Sequence, residues 1–300
     1  MNNIKNFVKI CDVTLRDGIQ GLKSKTGNPI FSYSQKLHIM NRLNHAKVNK
    51  IEFGSNVSSK LIEMANTGEV VKNLGMFSPN KDTNLYLLLP SYKKYIEVCE
   101  WYNYYDMVSH NSLITACSES FVKKNTNMSL EDSWQEIDRI LEDSSKKARV
   151  YISTCFGCPI EGKITPTHIR NIESVFKRYS SNPKVEEIVI SDTIGSYDMT
   201  QLNEYMKLFS STGKVSLHIH STPDDRNISE ILNTWYQQLV CIDTSMGNIG
   251  GCPNVEKQKI KPNLSTYQIA MILNSIAKQE MYNLDEIKCL ESLVSDRINL

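Results

Sequence analysis

The chain has 300 residues, a formal net charge of +1, and 40% hydrophobic and 22% charged residues. This composition is ordinary for a globular protein, and the length allows one barrel-sized domain or two smaller ones. The balanced charge argues against a nucleic-acid partner, and the lack of an 18-residue apolar run argues against a membrane span. The first residues lack the apolar core of a signal peptide, and eight scattered cysteines suit a reducing compartment, so we expect a cytoplasmic location.

Short β-rich runs alternate with amphipathic helical stretches along the chain. The predicted strands cover residues 7–14, 50–55, 85–90, 105–111, 149–156, 186–193, 214–221 and 239–246. The predicted helices include 34–47, 131–147, 166–179, 199–211 and 227–238, and a further helix, 266–279, follows the last strand. Eight strand–helix units predict a (β/α)8 TIM barrel, with a doubly wound open sheet as the alternative. We expect one catalytic domain over 1–300, with the C-terminal helices from about residue 266 lying on the barrel.

Polar side chains gather where the predicted strands end. In a TIM barrel these carboxyl ends carry the active site, so the pattern itself indicates an enzyme. The residues concerned are Arg16, Asp17, Gln20, Glu52, Ser55, His110, Asn111, Asp192, Thr193, His218, His220 and Cys252.

Two histidines two residues apart lie on one face of the seventh predicted strand. His218 and His220 share that face because side chains alternate along a strand. With a carboxylate from another strand, for which Asp17 is the candidate, they form a mixed nitrogen and oxygen site suited to Mg²⁺ or Mn²⁺. The alternative is a pair of core histidines satisfied by hydrogen bonds.

Four further residues are candidates for chemistry. Arg16 is a fixed cation for a developing enolate oxygen, with a structural salt bridge as the alternative. Glu52 could orient a base or anchor the substrate, and it could equally pair with Arg16. Asp192 is a candidate outer partner of the histidines. Cys252 follows two glycines in "GNIGGCP", where a mobile loop would let the thiol carry a proton; a buried inert thiol is the alternative.

Several motifs occur in the order found in one enzyme family. They are "TLRDGIQ", "SESFVKKNTNMSLEDSW", "CFGCPIEGKITP", "ISDTIG", "SLHIHST" and "GGCP". With them the chain resembles the DRE-TIM metallolyases and, within that group, the 3-hydroxy-3-methylglutaryl-CoA lyases. The resemblance extends over nearly the whole chain, and "GCPIEGKI" and "GGCP" are its most specific parts.

The resemblance implies retro-Claisen cleavage of an acyl-CoA to acetyl-CoA and acetoacetate, with Mg²⁺ or Mn²⁺ as cofactor and a homodimer as the assembly. It implies metal ligation by Asp17, His218, His220 and Asn263, with Asn254 as the alternative to Asn263. The catalytic residues would be Arg16, Glu52, Asp192, His218 and Cys252. The substrate would contact Gln20 and Ser55, and its CoA portion would lie near Lys123, Lys124 and Asn125.

Two other functions stay open at the level of sequence. "TLRDG" is also typical of enzymes that condense acetyl-CoA with a 2-oxo acid, or of aldolases. A non-catalytic CoA-binding protein is favoured by the charged segment "VEKQKIKP" before Asn263. The complete set of candidate catalytic residues opposes this last interpretation.

Overall fold

A computed structural model describes residues 7–299 except 23, 25, 59, 81, 102, 222–225 and 252–260. Within that part of the chain, eight parallel strands form a closed barrel in which each strand pairs with the next and the last pairs with the first. They are β1 (Lys9–Asp12), β2 (Lys50–Ser55), β3 (Asn84–Leu88), β4 (His110–Ala116), β5 (Lys147–Ser153), β6 (Val185–Ser191), β7 (Val215–His218) and β8 (Leu239–Thr244). The predicted TIM barrel is therefore confirmed, and the open sheet is excluded.

The helices lie between and after the strands. They are α1 (Tyr33–His45), α2 (Thr67–Lys72), α3 (Tyr92–Cys99), α4 (Asn103–Asp106), α5 (Glu119–Thr126), α6 (Leu130–Asp143), α7 (Pro166–Tyr179), α8 (Met199–Phe209), α9 (Arg226–Trp235), α10 (Thr266–Ala277) and α11 (Leu284–Asn299). No helix of the described residues has the length and apolar character needed to cross a bilayer.

The fourth strand differs from its prediction. We expected it over 105–111, but it begins at His110, so His110 and Asn111 lie at the amino end of the barrel, opposite the expected site. The prediction failed because β4 buries polar side chains and so lacks the apolar pattern expected of a strand. Asn111 accepts a hydrogen bond from Tyr105 at 2.5 Å and donates to Ser144 at 3.0 Å, and such pairing satisfies polar groups that an apolar pattern would not reveal.

Charged side chains fill the middle of the barrel. The Lys50 ammonium lies 2.9 Å from Glu187, and the Arg149 guanidinium lies 3.3 Å from Glu187 and 2.6 Å from Asp243. All four residues are buried. Many barrels fill this space with branched apolar residues. Here these buried charges form a polar layer, called the barrel floor, beneath the carboxyl ends of the strands.

The C-terminal helices are joined to the first strand. Thr266, at the start of α10, donates a hydrogen bond to Asp12 at 2.8 Å, and the Tyr282 hydroxyl accepts one from the Ile10 amide at 3.0 Å. These contacts lie next to the turn after β1, so they support its position. The single domain over 1–300 stays a prediction.

Candidate active site

The turn after β1 carries the central residues. Thr14–Gly18 form one π-helical turn, a rare geometry that is frequent at functional sites. Its position is fixed because the Thr14 amide donates to Asp12 at 3.0 Å and the Thr14 hydroxyl accepts from the Met246 amide at 2.9 Å. The turn holds Arg16 and Asp17 at the mouth of the barrel, where both are nearly buried.

Arg16 is locked by a carboxylate on each side. Its Nε donates to Glu52 and its Nη1 donates to Asp17 at 2.6 Å. The other Glu52 oxygen accepts from the Tyr151 hydroxyl at 2.7 Å and from Ser112 at 3.0 Å. Burial lowers the pKa of Arg16, but Glu52, Tyr151 and Asp17 outweigh it and raise the pKa above its usual value. The guanidinium is therefore a permanent cation of fixed orientation.

The two histidines are each held at Nδ1 by a partner behind them. His218 Nδ1 lies 3.1 Å from an Asp243 carboxylate oxygen, and His220 Nδ1 donates to the Lys261 carbonyl at 2.6 Å. Such partners fix the ring and direct Nε2 toward the site. Burial lowers the pKa of His218, but the Asp243 hydrogen bond and the Asp17 charge raise it overall. Burial and the neighbouring His218 lower the pKa of His220.

Asn263 completes the cluster with an unused acceptor. Its Nδ2 donates to Asp17 at 3.0 Å, and its Oδ1 is buried with no hydrogen-bond partner among the described residues. Gly250 permits this approach: its φ is +125°, and a Cβ there would lie 2.4 Å from Asn263 Nδ2. An orphaned buried carbonyl oxygen is costly, and beside the Asp17 carboxylate it is available to a cation.

These donors fit a hard divalent cation in type. Asp17 supplies a carboxylate, the two histidines supply imidazole nitrogens, and Asn263 supplies an amide oxygen. Burial raises the pKa of Asp17, but Arg16 and both histidines hold it well below its usual range, so this carboxylate is ionised. Within the described ranges, no three His, Cys, Asp or Glu side chains converge into a metal cluster by themselves. The metal site therefore stays a prediction that depends on the Asn263 amide.

A cavity of about 280 Å³ opens at this cluster. Its polar end is formed by Arg16, Asp17, Gln20 and the two histidines His218 and His220. Gln20 donates to Asp17 at 2.8 Å, so the predicted substrate-contacting amide is at the site. The cavity continues away from this end between the tops of β3 and β4 and the helices α5 and α6.

Other predicted site residues lie outside this polar end. Asp192 is buried and accepts hydrogen bonds from the amides of Ser196 at 2.8 Å and Tyr197 at 3.3 Å, so it holds the loop after β6. Its charge also acts on His220. The Ser55 hydroxyl is buried and donates to the Leu88 carbonyl at 3.3 Å, which is a structural contact.

The predicted CoA-contacting residues lie on one short helix. Lys123 and Lys124 are exposed on α5, and Lys123 donates to the Asn127 carbonyl at 3.3 Å. Asn125 lines the cavity. The geometry therefore brings Asn125 to the cavity and leaves the two lysines outside it. Cys252 and Asn254 lie outside the described residues.

Sequence reasoning missed two residues of the site. Tyr151 bonds both Glu52 and Asp243, the latter at 2.8 Å, and its ring lies 5.0 Å beneath the Arg16 guanidinium. Asp243 in turn orients His218. Each of these two polar side chains lies in an otherwise apolar strand. This pattern could have revealed them, because a buried polar group is unusual unless it is paired.

Comparisons with known proteins identify the family. The sequence model of the HMGL-like family matches residues 7–226. The mitochondrial hydroxymethylglutaryl-CoA lyases of Macaca fascicularis and Homo sapiens are each 28% identical over 306 residues, covering 100% of this chain and 88% of those proteins.

Solved structures share the fold. The hydroxymethylglutaryl-CoA lyase of Pseudomonas aeruginosa superposes with a TM-score of 0.79 at 23% identity, covering 99% of this chain and 93% of that one. An HMG-CoA lyase of Acinetobacter baumannii, solved with coenzyme A and 3-methylmalate, superposes with a TM-score of 0.81 at 21% identity, covering 100% and 93%. The fold and site thus define a TIM-barrel protein with a carboxylate–arginine–histidine centre at its carboxyl end. The chain belongs to the HMGL-like family, which confirms the resemblance seen in its motifs.

Proposed function

We propose that this protein is a divalent-metal-dependent lyase that cleaves 3-hydroxy-3-methylglutaryl-CoA, or an acyl-CoA close to it, to acetyl-CoA and a 3-oxo acid. Membership of the family, with relatives named as hydroxymethylglutaryl-CoA lyases, makes it a carbon–carbon lyase. The observation that carries the finer proposal is the orphaned Asn263 oxygen beside Asp17 and the two histidines.

Asp17, His218, His220 and Asn263 would hold the metal. When bound, Mg²⁺ or Mn²⁺ would supply Lewis-acid polarisation of the substrate oxygens. The second contacts to Asp243 and the Lys261 carbonyl keep the imidazoles oriented for this role.

The proposed reaction is a retro-Claisen cleavage, and each step is assigned to a candidate residue. The tertiary alcohol at C3 loses its proton, the C2–C3 bond breaks, C3 becomes a ketone, and the electron pair moves to C2 as the thioester enolate. We assign acceptance of the alcohol proton to His218 Nε2, which would exchange the metal for the proton in this step while Nδ1 stays bonded to Asp243. Arg16, fixed between Glu52 and Asp17, stabilises the enolate oxygen. Cys252 returns a proton to C2 and so completes acetyl-CoA.

The CoA portion would leave the cavity past α5. Asn125 lines the cavity, and the exposed cations of Lys123 and Lys124 lie on the same helix, where they would meet phosphate groups. The CoA complex of the Acinetobacter baumannii relative supports this class of substrate. The homodimer, the single domain and the cytoplasmic location remain predictions.

The test is an assay of acetyl-CoA and acetoacetate formed from 3-hydroxy-3-methylglutaryl-CoA. We expect product with Mg²⁺ or Mn²⁺ and none with EDTA. Arg16→Gln should lower kcat by on the order of 10²–10³, because it removes the cation for the enolate. Exposed Arg139→Gln is the control and should leave kcat unchanged. Metal-independent cleavage, or full activity of Arg16→Gln, would contradict the proposal.

A further inference from the structure

One part of the family motif has no role in the proposed chemistry. It is "GCPIEG", which follows β5. In it the amide and the carbonyl of Cys158 bond the carbonyl and the amide of Gly162, both at 2.8 Å, and so close a tight turn over residues 158–162. The Cys158 thiol also donates to the Ser118 hydroxyl at 3.2 Å, so the turn lies against the residue that precedes α5.

Glu161 in this turn joins two helices. Its Oε1 accepts a hydrogen bond from the Ser120 amide in α5 at 3.0 Å, and its Oε2 bonds His168 Nε2 in α7. His168 is itself held, because its Nδ1 accepts from the Thr165 amide at 3.0 Å. Burial raises the pKa of Glu161, but its hydrogen bonds, first those from Ser120 and His168, lower it to about 2, so the carboxylate is ionised.

The start of α5 needs such a partner. The first amides of a helix have no carbonyl acceptors within it, and α5 has only eight residues, too few to be stable by itself. Ser118 accepts from the Phe121 amide at 3.1 Å, and Glu161 accepts from the amide of Ser120. The helix dipole also favours a negative charge at this end. Glu161 therefore acts as a second cap that comes from a distant part of the chain.

The capped helix forms one wall of the active-site cavity. Its residues that line the cavity are Phe121, Val122, Asn125 and Thr126. The two lysines proposed to meet the CoA phosphates are exposed on the same helix. Glu161 is not among the described residues that line the cavity, so its influence on a bound molecule passes through the helix that it caps. Because Arg16 and His218 come from other elements, the placement of α5 sets the distance from them to the CoA contacts.

We propose that Glu161 is a positioning residue for the CoA portion of the substrate, which it serves by fixing the first turn of α5. This inference rests on the proposed function, since it needs the CoA portion to lie past that helix. Without the carboxylate, binding has to order α5 and its side chains, and this ordering costs part of the affinity. The groups at the polar end keep their own described contacts, so the bond-breaking step continues.

Two variants separate the hydrogen bond from the rest of the side chain. Glu161→Ala removes both carboxylate oxygens, whereas Glu161→Gln keeps one carbonyl oxygen that can accept from the Ser120 amide. The readout is the Kd of free CoA, measured by calorimetry on the EDTA-treated protein. We expect it to rise about three- to tenfold in Glu161→Ala, as is usual for the loss of a helix cap. In Glu161→Gln the rise should stay below about twofold, because the buried amide keeps an acceptor.

Kinetics with 3-hydroxy-3-methylglutaryl-CoA and Mg²⁺ give a second readout. For Glu161→Ala we expect KM to rise by the same factor and kcat to stay within about twofold, since a uniform loss of binding acts on KM. A variant that is only less folded would instead lose kcat, because fewer molecules are active.

Asp198→Ala is the matched control. Asp198 caps α8 by accepting from the Gln201 amide at 2.9 Å, and none of the described residues of α8 lines the cavity. Its Kd for CoA should therefore equal the wild-type value. Circular dichroism establishes that each variant is folded. Where Glu161→Ala does not fold, Glu161→Asp takes its place with the same expected rise, because one methylene less draws the carboxylate back from the Ser120 amide.

The outcomes separate the two proposals. Unchanged CoA affinity in Glu161→Ala overturns the inference, even where the thioester is cleaved as proposed. An equal loss in Asp198→Ala also overturns it, because any helix cap would then have the same effect. So does a fall in kcat with unchanged KM and Kd, since Glu161 would then act on the reacting groups. CoA binding that depends on Glu161, without cleavage of the thioester, supports the inference and refutes the proposed reaction.

Discussion

At the scale of single residues, the site depends on groups that lack a full set of partners. Asn263 donates its amide hydrogen to Asp17 and leaves its oxygen unused, although the side chain is buried. The histidines show the complementary arrangement, in which Nδ1 is bonded and the side chain lines the cavity. A buried acceptor without a partner calls for an explanation, and a bound cation is the explanation tested next.

Asn263→Ala tests this interpretation. The substitution removes one oxygen donor, so we expect the affinity for Mn²⁺ to fall by at least about tenfold, measured by calorimetry. Asn233→Ala is the control, because Asn233 is exposed on α9 and bonds only within its helix in the described contacts. Unchanged Mn²⁺ affinity in Asn263→Ala would remove Asn263 from the ligand set.

At the scale of elements, the loop after β6 is joined to the segment after β8. The Lys261 ammonium donates to the Gly195 carbonyl, and its aliphatic stem lies against Gly195, whose φ is +69°. The Lys261 carbonyl also holds His220. This lysine, which belongs to the charged segment before Asn263, thus connects two loops and a candidate ligand.

Gly195→Ala should disturb this connection. A Cβ there would lie 2.6 Å from the Lys261 stem in a left-handed backbone conformation, so we expect a loss of more than about 1 kcal/mol in the free energy of unfolding, measured in urea. Gly213→Ala is the control: its φ is +66°, but nothing lies within 4 Å of the added Cβ. Equal losses in the two variants would mean that backbone strain alone acts and that the Lys261 contact adds nothing.

The amino ends of three strands are also tied together by one carboxylate. Glu186 at the start of β6 lies 3.1 Å from His110 in β4 and 3.0 Å from Lys147 in β5. The His110 hydrogen bond lowers the pKa of Glu186 to about 2. Because the folded-state pKa lies below the unfolded one, Glu186 stabilises the protein above its usual pKa and loses this effect as the pH falls toward 2.

Glu186→Gln therefore has a pH-dependent cost. The wild-type protein should be more stable than the variant at pH 6, and this difference should narrow steadily between pH 4.5 and 2.5, measured by urea unfolding at each pH. Partial exposure of the carboxylate keeps the effect modest. A difference that stays constant with pH would show that Glu186 contributes through packing rather than charge.

At the scale of the whole molecule, buried charges replace part of the usual apolar filling of the barrel. Glu187 pairs with Lys50 and Arg149 and also accepts from Ser216. Burial raises the pKa of Glu187, but the cations Arg149 and Lys50 outweigh it, so the carboxylate is ionised. This lower layer supports Asp243 and Tyr151 above it, which connects the barrel floor to the site.

Glu187→Gln would leave Lys50 and Arg149 buried without their shared counter-charge. We expect the free energy of unfolding to fall by about 3–5 kcal/mol. Glu280→Gln, which breaks an exposed pair with Lys47, should change it by less than about 1 kcal/mol. A small effect at Glu187 would mean that the neutral amide is accommodated and that the barrel floor does not need the charge.

The fold was predictable from the sequence because its signals are local. The β2 strand and the α7 helix have the predicted bounds, since a capping threonine and a proline at the first helical position fix the start of α7. The central residues Arg16, Asp17, His218 and His220 were also predictable, because strand periodicity and the rule for barrel ends place them together.

The rest depended on contacts between distant segments. The start of β4 at His110, the support of His218 by Asp243, and the role of Lys261 arise from partners far away in sequence, so no local pattern reveals them. The cavity likewise exists only where α5 and α6 meet the ends of β3 and β4. The sequence by itself determined the barrel and the chemistry at its mouth. Only the tertiary structure decided how the residues are oriented and which space a substrate can fill, because both depend on side chains packed across the whole barrel.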